Sequence, residues 1–252
     1  MGKNKLRKFS EMEQIDFVLQ YPYSVLKEQG FPLRGNWHRD FFGNDNPIVV
    51  ELGCGKGEYT VGLARRFPDK NFIGIDIKGA RMWSGATQAQ REGMANVAFV
   101  RTSIELLGHF FAPGEVAEIW ITFADPQMKK QRKRLTSARF MELYSQVLAP
   151  GGIVNLKTDS PFLYTYTRML CQANPAAMKV VTDTDDLYAN PGVAQTILDI
   201  KTHYEQQWLQ RGMTIKYLAF ALDTAQGAVT EIDDTDIERD TYRSYSRHTV
   251  IK

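Results

Sequence analysis

Short apolar runs alternate with longer amphipathic segments along the chain from Pro47 to Asn174. The runs are rich in β-branched and aromatic residues, which predicts strands at IVVEL, NFIGID, NVAFV, EIWITFA and GGIVNLK. The segments between them carry apolar residues at helical spacing, which predicts helices at GEYTVGLARRF, GARMWSGATQAQREG, SARFMELYSQVL and SPFLYTYTRMLCQ. This alternation predicts an α/β fold, with a mostly parallel sheet and helices on both of its faces.

After Asn174 the alternation becomes less regular. AAMKVVTDT predicts a strand, VAQTILDIKTHYEQQWLQRG predicts one long helix closed by Gly212, and MTIKYLAFAL predicts a last strand. This ending predicts two antiparallel strands at one edge of the parallel sheet.

The same pattern divides the chain into three parts. Residues 1–45 are expected to form a partly flexible N-terminal arm, with a mixed helix around Met12–Gln20 and then a loop punctuated by Pro and Gly. Residues 46–223 form the α/β domain. Residues 224–252 form a C-terminal acidic tail, which we expect to be loop.

The composition is that of an ordinary globular protein. The 252 residues are 43% hydrophobic and 24% charged, which suits one α/β domain. No apolar run reaches the roughly 18 residues of a membrane helix, and the basic start is followed by Glu11 rather than by an apolar signal region. Cys54 and Cys171 form neither a disulfide framework nor a metal-ligand spacing. We therefore expect a cytoplasmic protein without a metal or a membrane partner.

Charge is distributed unevenly on a chain whose net charge is only +2. Cations gather near the N-terminus, at Lys3, Lys5, Arg7 and Lys8, and again in the stretch KKQRKR that begins at Lys129. Segment 231–240 is acidic. Local basic patches suit the phosphates of a nucleic acid. The alternative for the KKQRKR run is a solvated charged face ahead of a helix.

Three glycines stand between a predicted strand and a predicted helix, at Gly53, Gly55 and Gly57. Glycines there permit a tight turn and let a ligand approach bare backbone. The dinucleotide fingerprint requires a glycine where Glu58 stands, which argues against a Rossmann oxidoreductase. Asp76 closes the next strand, where a carboxylate can accept both ribose hydroxyls of an adenosine cofactor. The alternative is a strand-to-helix turn with a capping Asp.

The pattern E-x-G-x-G-x-G, followed by Asp at the end of the second strand, resembles the S-adenosylmethionine (SAM) site of class I methyltransferases. The resemblance implies a Rossmann-like fold with a mostly parallel seven-stranded sheet, and SAM as the cofactor. It implies cofactor contacts from Glu51, from the loop Gly53–Gly57 and from Asp76. Ser103, or Thr102 with a one-residue slip, falls where many such enzymes place an Asp near the adenine.

A more specific resemblance covers roughly Val50 to Gly212. ELGCGKG, NFIGIDIKGAR, FADPQMKKQRKRL, APGG, LKTD and THYEQQWLQRG occur in the order and spacing of bacterial tRNA (guanine-N7-)-methyltransferases. This implies transfer of the SAM methyl group to N7 of the variable-loop guanine, position 46, of tRNA. It implies catalysis by Asp125 and substrate contacts from the following residues: Lys129, Asp159, Thr202, His203, Tyr204 and Glu205.

Three positions depart from the family pattern. Ala124 replaces the first Pro of F-P-D-P, Gln127 replaces the usual Trp, and Ser103 replaces the cofactor-binding Asp. The central carboxylate and the lysine remain. The expected partner is therefore tRNA, bound by a monomer or a homodimer. The alternatives are methylation of another RNA or of a small substrate, and a tRNA-binding homologue whose catalysis has decayed.

The chemistry of guanine N7 explains why carboxylates would surround the base. N7 has a lone pair and no proton, so attack on a methyl group requires in-line placement rather than a general base. The ring becomes cationic as the bond forms, and carboxylates that accept from its Watson–Crick edge favour that charge. Asp125, Asp159 and Glu205 are the candidates. Tyr204 or Trp208 would hold the base by its face, and core packing is the alternative for each.

Overall fold

The computed structural model describes residues 2–190, 192 and 195–242. The chain divides into two compact units. Unit 1 comprises Met1–Ile119 with Gln146–Ala149, and unit 2 comprises Trp120–Ser145 with Pro150–Lys252. Strand β5, Val116–Thr122, passes from unit 1 into unit 2, and strand β6, Leu148–Thr158, does the same.

Unit 1 contains four parallel strands in the order β1-β4-β3-β2. Their bounds are β1 Val18–Gln20, β2 Ile48–Leu52, β3 Asn71–Asp76 and β4 Val97–Arg101. The helices of this unit are α1 Gly2–Glu13, α2 Tyr23–Gln29, α3 Glu58–Arg66, α4 Gly79–Arg91 and α5 Leu107–Phe110. All five residues of β2 are buried, as expected for a strand covered on both faces.

The N-terminal segment differs from its prediction. Instead of a mixed helix around Met12–Gln20, α1 ends at Glu13 and β1 pairs with β4, so the described sheet strands number eight rather than seven. Met12 is fully buried, and the indole Nε1 of Trp83 donates to Glu11 at 2.6 Å. A three-residue strand is too short to give an alternation signal, which is why the pattern missed it.

The predicted loop after β1 also contains short helices. Besides α2, a turn of π-helix covers Trp37–Phe42. Trp37 is fully buried, and its indole Nε1 donates to the carbonyl of Phe110 at 3.0 Å.

Unit 2 contains the rest of the strands and helices. The strands are β6, β7 Met178–Thr184 and β8 Lys216–Leu222, and the helices are α6 Ala138–Ser145, α7 Pro161–Ala173 and α8 His203–Gln210. The order is β6-β8-β7, and β8 pairs antiparallel with both neighbours. The predicted antiparallel pairing at the edge of the sheet is therefore present. Only one of the two last strands, β8, is antiparallel to β6, and β7 runs in the same direction as β6.

The predicted long helix over residues 193–212 is wrong in its described part. A 3-10 turn at Gln195–Ile197 is followed by irregular chain, and α8 begins only at His203. Thr202 and Glu205 form a capping box, in which each side chain accepts from the other residue's backbone amide. A capping box marks the start of a helix, so the spacing T-x-x-E indicates a helix that begins after Thr202. The prediction of one long helix relied on the hydrophobic pattern alone and did not use this spacing. Residues 193 and 194 lie outside the described residues.

Chain after β8 is irregular, as predicted, and is described as far as Tyr242. We call residues 224–242 the C-terminal strap. Its acids bind the body of unit 2: Glu231 accepts from the hydroxyl of Tyr166, and the Asp234 carboxylate lies 2.7 Å from the guanidinium of Arg134. Within the described part of the chain, no helix is both long and apolar enough to span a bilayer.

Helix α4 packs unusually close to the loop that follows β2. A Cβ added at Gly85 would lie 2.7 Å from the carbonyl oxygen of Lys56 and 2.9 Å from Cα of Gly57. Both neighbours are backbone atoms, so they cannot turn aside as a flexible side chain would. The glycine at position 85 is therefore required by the approach of α4 to this loop.

We predict that Gly85→Ala lowers the free energy of unfolding by about 1–3 kcal/mol through overpacking. Gly108→Ala is the matched control, because its new Cβ would meet only the side chain of Gln146, at 3.5 Å. That control should be neutral or stabilising by up to about 1 kcal/mol, since alanine favours a helix over glycine. Urea unfolding of both variants measures the difference, and equal stabilities would contradict the packing argument.

Candidate active site

The loop between β2 and α3 is built from glycines in the left-handed region. Gly53, Gly55 and Gly57 have φ values of 73°, 55° and 71°. A Cβ added at Gly53 would meet nothing within 4 Å, and one at Gly55 would meet only the carbonyl oxygen of Gly53, at 3.9 Å. One at Gly57 would lie 2.7 Å from the ring of Phe99. The first two glycines thus leave open space beside bare backbone, whereas the third serves packing.

Asp76 fixes this loop to the end of β3. Its Oδ2 accepts from the backbone amide of Gly55 at 2.9 Å, and its Oδ1 accepts from that of Lys78 at 2.7 Å. A carboxylate offers about four acceptor positions. Asp76 can therefore accept further hydrogen bonds from a ligand while it holds the loop.

Glu51 points inward at the end of β2. It is 3% exposed, and its Oε2 accepts from the amide of Thr60, at 2.8 Å, and from the hydroxyl of the same residue. This negative charge stabilises the first turn of α3. Cys54 beside it is buried, and burial, together with the charges of Glu51 and Asp76, raises the pKa of its thiol. The thiol is therefore protonated, which agrees with a small packing residue.

A cavity of about 360 Å³ opens at the carboxyl ends of β1, β3 and β4. It is lined by Gln20, Tyr21, Pro22, Tyr23, Ile77, Arg101, Thr102, Ser103 and Leu106. Ile77 directly follows Asp76 and is 61% exposed, which is unusual for an isoleucine. The hydroxyl of Ser103 donates to Glu105. Ser103, which the sequence predicts as a cofactor contact, lines this cavity, and so does Ile77, which was not among the predicted residues. The sequence feature that marks Ile77 is an apolar residue directly after a strand-ending acid.

Helix α1 supports one wall of this cavity. The guanidinium of Arg101 lies 4.5 Å from the ring centre of Phe9, and its Nη1 donates to the side chain of Gln20 at 3.1 Å. Arg7 and Lys8 also lie on α1. The side chains of Lys3 and Lys5 lie outside what the structure describes.

In unit 2, Asp125 follows β5 and is exposed. Its Oδ1 accepts from the amide of Gln127 at 3.0 Å. Phe123 and Gln127, two residues before and after it, have φ values of 50° and 47°. Non-glycine residues in this region cost about 1–3 kcal/mol each and gather at functional sites. The amide of Phe123 donates to the carbonyl of Lys157 at 2.9 Å, which ties the strained segment to β6.

Arg134, the last cation of the KKQRKR run, is fully buried rather than solvated. Its guanidinium donates to the carbonyls of Pro126 and Gln127, at 3.0 and 3.3 Å. It also pairs with Asp234 and lies over the ring of Tyr166 at 3.9 Å. Arg134 thus holds the Asp125 loop through the carbonyls of Pro126 and Gln127. Because its side chain is fully buried, the expectation that every cation of this run contacts phosphate is wrong for Arg134.

The other cations of the run face solvent. They are Lys129, Lys130, Arg132 and Lys133. Gln131 between them donates from Nε2 to the carbonyl of Ile232 in the strap, at 2.8 Å. The exposed cations therefore lie on a loop that is fixed at both Gln131 and Arg134.

Asp159 follows β6 and is fully buried. Its Oδ2 accepts from the hydroxyl of Tyr242 in the strap, at 2.5 Å. Asp240, two residues earlier, accepts from the hydroxyl of Ser160 and from the amide of Phe162, at 2.5 and 3.1 Å. The strap therefore covers the start of α7 and the carboxylate that sequence reasoning assigned to the substrate.

The Thr202–Glu205 element splits into two inward and two outward residues. Thr202 and Glu205 are buried in the capping box, whereas His203 is exposed and Tyr204 is 46% exposed. The Glu205 carboxylate lies 2.8 Å from the ammonium of Lys157, and both side chains are fully buried.

Burial lowers the pKa of Lys157, an effect that the charge of Glu205 opposes. Tyr188 also donates to Glu205, at 2.8 Å. Glu205 is therefore engaged by its own unit.

The predicted site residues thus form two groups. The cofactor group lies in unit 1 and consists of Glu51, Gly53, Gly55, Gly57, Asp76 and Ser103. The substrate group lies in unit 2 and consists of Asp125, Lys129, Asp159, Thr202, His203, Tyr204 and Glu205. Among the described residues, no set of three or more His, Cys, Asp or Glu side chains is arranged to hold a metal ion.

Comparisons with known proteins bear on both groups. A family described as putative methyltransferase matches residues 45–218. A tRNA (guanine-N(7)-)-methyltransferase of Porphyromonas gingivalis is 63% identical over 94% of this chain and 96% of its own. One of Bacteroides thetaiotaomicron is 57% identical over 98% of this chain and 96% of its own.

Solved structures show the fold. The 16S rRNA methyltransferase KamB has a TM-score of 0.57 at 14% identity, over 73% of this chain and 92% of its own. The 16S rRNA (adenine(1408)-N(1))-methyltransferase of Catenulisporales acidiphilia, solved with its cosubstrate SAM, has a TM-score of 0.53 at 16% identity, over 77% and 93%. These likenesses confirm the Rossmann-like class I methyltransferase fold.

We predict that Arg134→Met lowers the free energy of unfolding by about 2–4 kcal/mol, because it leaves the buried end of an ion pair and two carbonyls without their donor. Lys133→Met, one residue earlier and exposed, is the control and should change stability by less than about 0.5 kcal/mol. Urea unfolding measures both. Similar small changes would mean that Arg134 is not the brace of the loop.

Proposed function

Because the chain belongs to the family of tRNA (guanine-N(7)-)-methyltransferases, we propose that it transfers the methyl group of SAM to N7 of the variable-loop guanine at position 46 of tRNA. The enzyme works in the cytoplasm, as a monomer or a homodimer. The exposed carboxylate of Asp125, held between two left-handed residues and followed by exposed cations, is the observation that carries the substrate assignment.

The cofactor group fits SAM. Open space beside Gly53 and Gly55 suits the amino-acid end, and the remaining acceptor capacity of Asp76 suits the two ribose hydroxyls. The cavity beyond Asp76 suits adenine, with Ile77 against its face and the hydroxyl of Ser103 at its edge. SAM, when bound, supplies a methyl group on a sulfonium centre.

Glu51 acts one step away from the cofactor. Because its carboxylate holds Thr60 in the first turn of α3, it fixes the end of the glycine loop. The contribution of Glu51 to cofactor binding is therefore to hold the glycine loop in its shape.

Asp125 positions the base and favours its developing charge. N7 needs no proton removed, so a fixed carboxylate contributes by holding the guanine edge and by stabilising the cationic ring. The Gln127 amide and the Arg134 brace hold this segment before substrate arrives, so little reorganisation remains for the reaction.

The exposed cations beyond Asp125 bind the phosphates that flank the target nucleotide. Lys129 is the first of them, and each such contact contributes to affinity through release of counterions. His203 and Tyr204, exposed at the start of α8, are further contacts for the tRNA. Asp159 is the carboxylate proposed to accept from the Watson–Crick edge of guanine.

The proposed reaction is tested by incubating the purified protein with unmodified bulk tRNA and labelled SAM, followed by nucleoside analysis. We expect the label in 7-methylguanosine. Label in another nucleoside would mean a different RNA target, and SAM binding without any transfer would mean a tRNA-binding protein.

Asp125→Ala should lower the single-turnover rate about a hundredfold, as the loss of one electrostatic contact in an active site usually does. SAM affinity, measured by calorimetry, should stay within a few-fold because Asp125 is outside the cofactor group. Asp125→Asn keeps an acceptor for the Gln127 amide, but its single-turnover rate should fall by a similar factor because the negative charge is missing. Wild-type turnover in the Asn variant would contradict the electrostatic role.

Lys129→Ala should weaken tRNA binding, most strongly at low salt, and should make the slope of log affinity against log salt less negative by about 1. Lys27→Ala removes an exposed lysine outside the run and is the control, with an unchanged slope. Filter binding across a salt series measures both variants. An unchanged slope for Lys129→Ala would remove this residue from the tRNA surface.

A further inference from the structure

The strap ends its described course on a carboxylate that the proposed function assigns to guanine. Asp159 is fully buried and Tyr242 is 5% exposed. The Tyr242 hydroxyl donates to Asp159, and the Tyr242 ring stands edge-on to Trp208 with 5.1 Å between the ring centres. In this arrangement no ligand can reach Asp159, because Tyr242 and the protein around it cover the carboxylate.

Tyr242 presents to Asp159 the same chemistry that guanine would. A tyrosine is a flat ring with one hydrogen-bond donor at its edge. Guanine is a flat ring whose N1–H is a donor at its edge. A carboxylate beside an aromatic side chain therefore suits either group, and the two cannot occupy it together.

This contact has the opposite direction to the contacts that the strap makes through its carboxylates. At Arg134, at Tyr166 and at Ser160, the strap supplies the acid and the body of unit 2 supplies the donor. At Asp159 the strap supplies the donor and the body supplies the acid. Among the described contacts of the strap, this is the one in which it binds a carboxylate that the proposed reaction requires.

The segment that carries Tyr242 also lies beside the loop of Asp125. Met128 lies three residues after Asp125, and its sulfur accepts from the amide of Asp240 at 3.2 Å. The Tyr242 carbonyl accepts from Arg211 at 3.4 Å. Both are weak or long hydrogen bonds. The Asp240 carboxylate, in contrast, is held firmly by Ser160 and Phe162, so the lightly held part of the strap begins after Asp240.

We propose that Tyr242 occupies the place of the target base in the tRNA-free enzyme, and that residues 241 and 242 leave Asp159 when guanine enters, while Asp240 stays bound to Ser160 and Phe162. The inference rests on the proposed function. It identifies the base pocket as the space that the Tyr242 ring fills, beside Asp159 and Trp208. The strap lowers the apparent affinity for tRNA by the fraction of molecules in which this pocket is closed.

Tyr242→Phe tests the occupancy by removing one hydroxyl. Loss of a hydrogen bond to a charged group favours the open state, and the KM for tRNA should fall about tenfold while kcat stays within about twofold. The control is Tyr166→Phe, which removes the strap's bond at Glu231 without uncovering Asp159. That control should leave the KM for tRNA unchanged.

Each other outcome overturns the inference. A raised KM or a lowered kcat in Tyr242→Phe would make Tyr242 a wall of the pocket instead of an occupant, and an unchanged KM would make it a structural tie. An equal fall in Tyr166→Phe would mean that general loosening of the strap is responsible.

Hydrogen exchange of the wild-type chain gives a test that needs no variant. Amides of residues 241 and 242 should exchange faster when saturating tRNA is added, and slower or unchanged exchange would overturn the inference. The proposed function fails separately, if the wild-type enzyme places its label outside 7-methylguanosine. The product of the wild-type enzyme is therefore identified first, and the KM values of the Tyr242→Phe and Tyr166→Phe variants are compared afterwards.

Discussion

A single buried guanidinium fastens the Asp125 loop to the C-terminal strap and to helix α7. Arg134 reaches two carbonyls of the Asp125 loop, an acid of the strap and the rings of Phe162 and Tyr166 on α7. An arginine suits this position because its planar guanidinium donates along its edges while its face lies over the ring of Tyr166, whereas the compact ammonium of lysine has no such plane. Arg134 therefore connects the turn that carries Asp125 to the strap, through Asp234, and the exposed cations of the KKQRKR run lie between these two points.

Much of the fold could be predicted from the alternation of apolar and amphipathic segments. Strands β2 to β6 and helices α3, α4, α6 and α7 follow that pattern because their buried positions recur with the period of the element. The pattern failed where local chemistry decides. Strand β1 is too short to show a period, and the capping box at Thr202 interrupts an otherwise helical stretch. The boundaries of the predicted parts, at residues 45/46 and 223/224, stay predictions.

Motif spacing selects the residues of the candidate site, but it does not predict their surroundings. Motif spacing identifies Asp125, Asp159 and Glu205, yet it cannot tell that the first is exposed while the other two are buried. That difference comes from contacts distant in sequence, such as Lys157 on Glu205 and Tyr242 on Asp159. Likewise, the KKQRKR run suggests uniform solvation, and only the packing of Tyr166 and Asp234 shows that Arg134 is withdrawn from it. The roles of all these residues stay proposals.

The central claim is that N7 of the variable-loop guanine attacks the methyl group, and replacing that one atom tests it most directly. A tRNA transcript with 7-deazaguanosine at position 46 has a C–H in place of N7 and keeps its Watson–Crick edge. The account predicts that this tRNA binds with nearly the affinity of the guanosine transcript and takes up no labelled methyl group, while the guanosine transcript is fully methylated. Methylation of both transcripts to the same extent would contradict the claim.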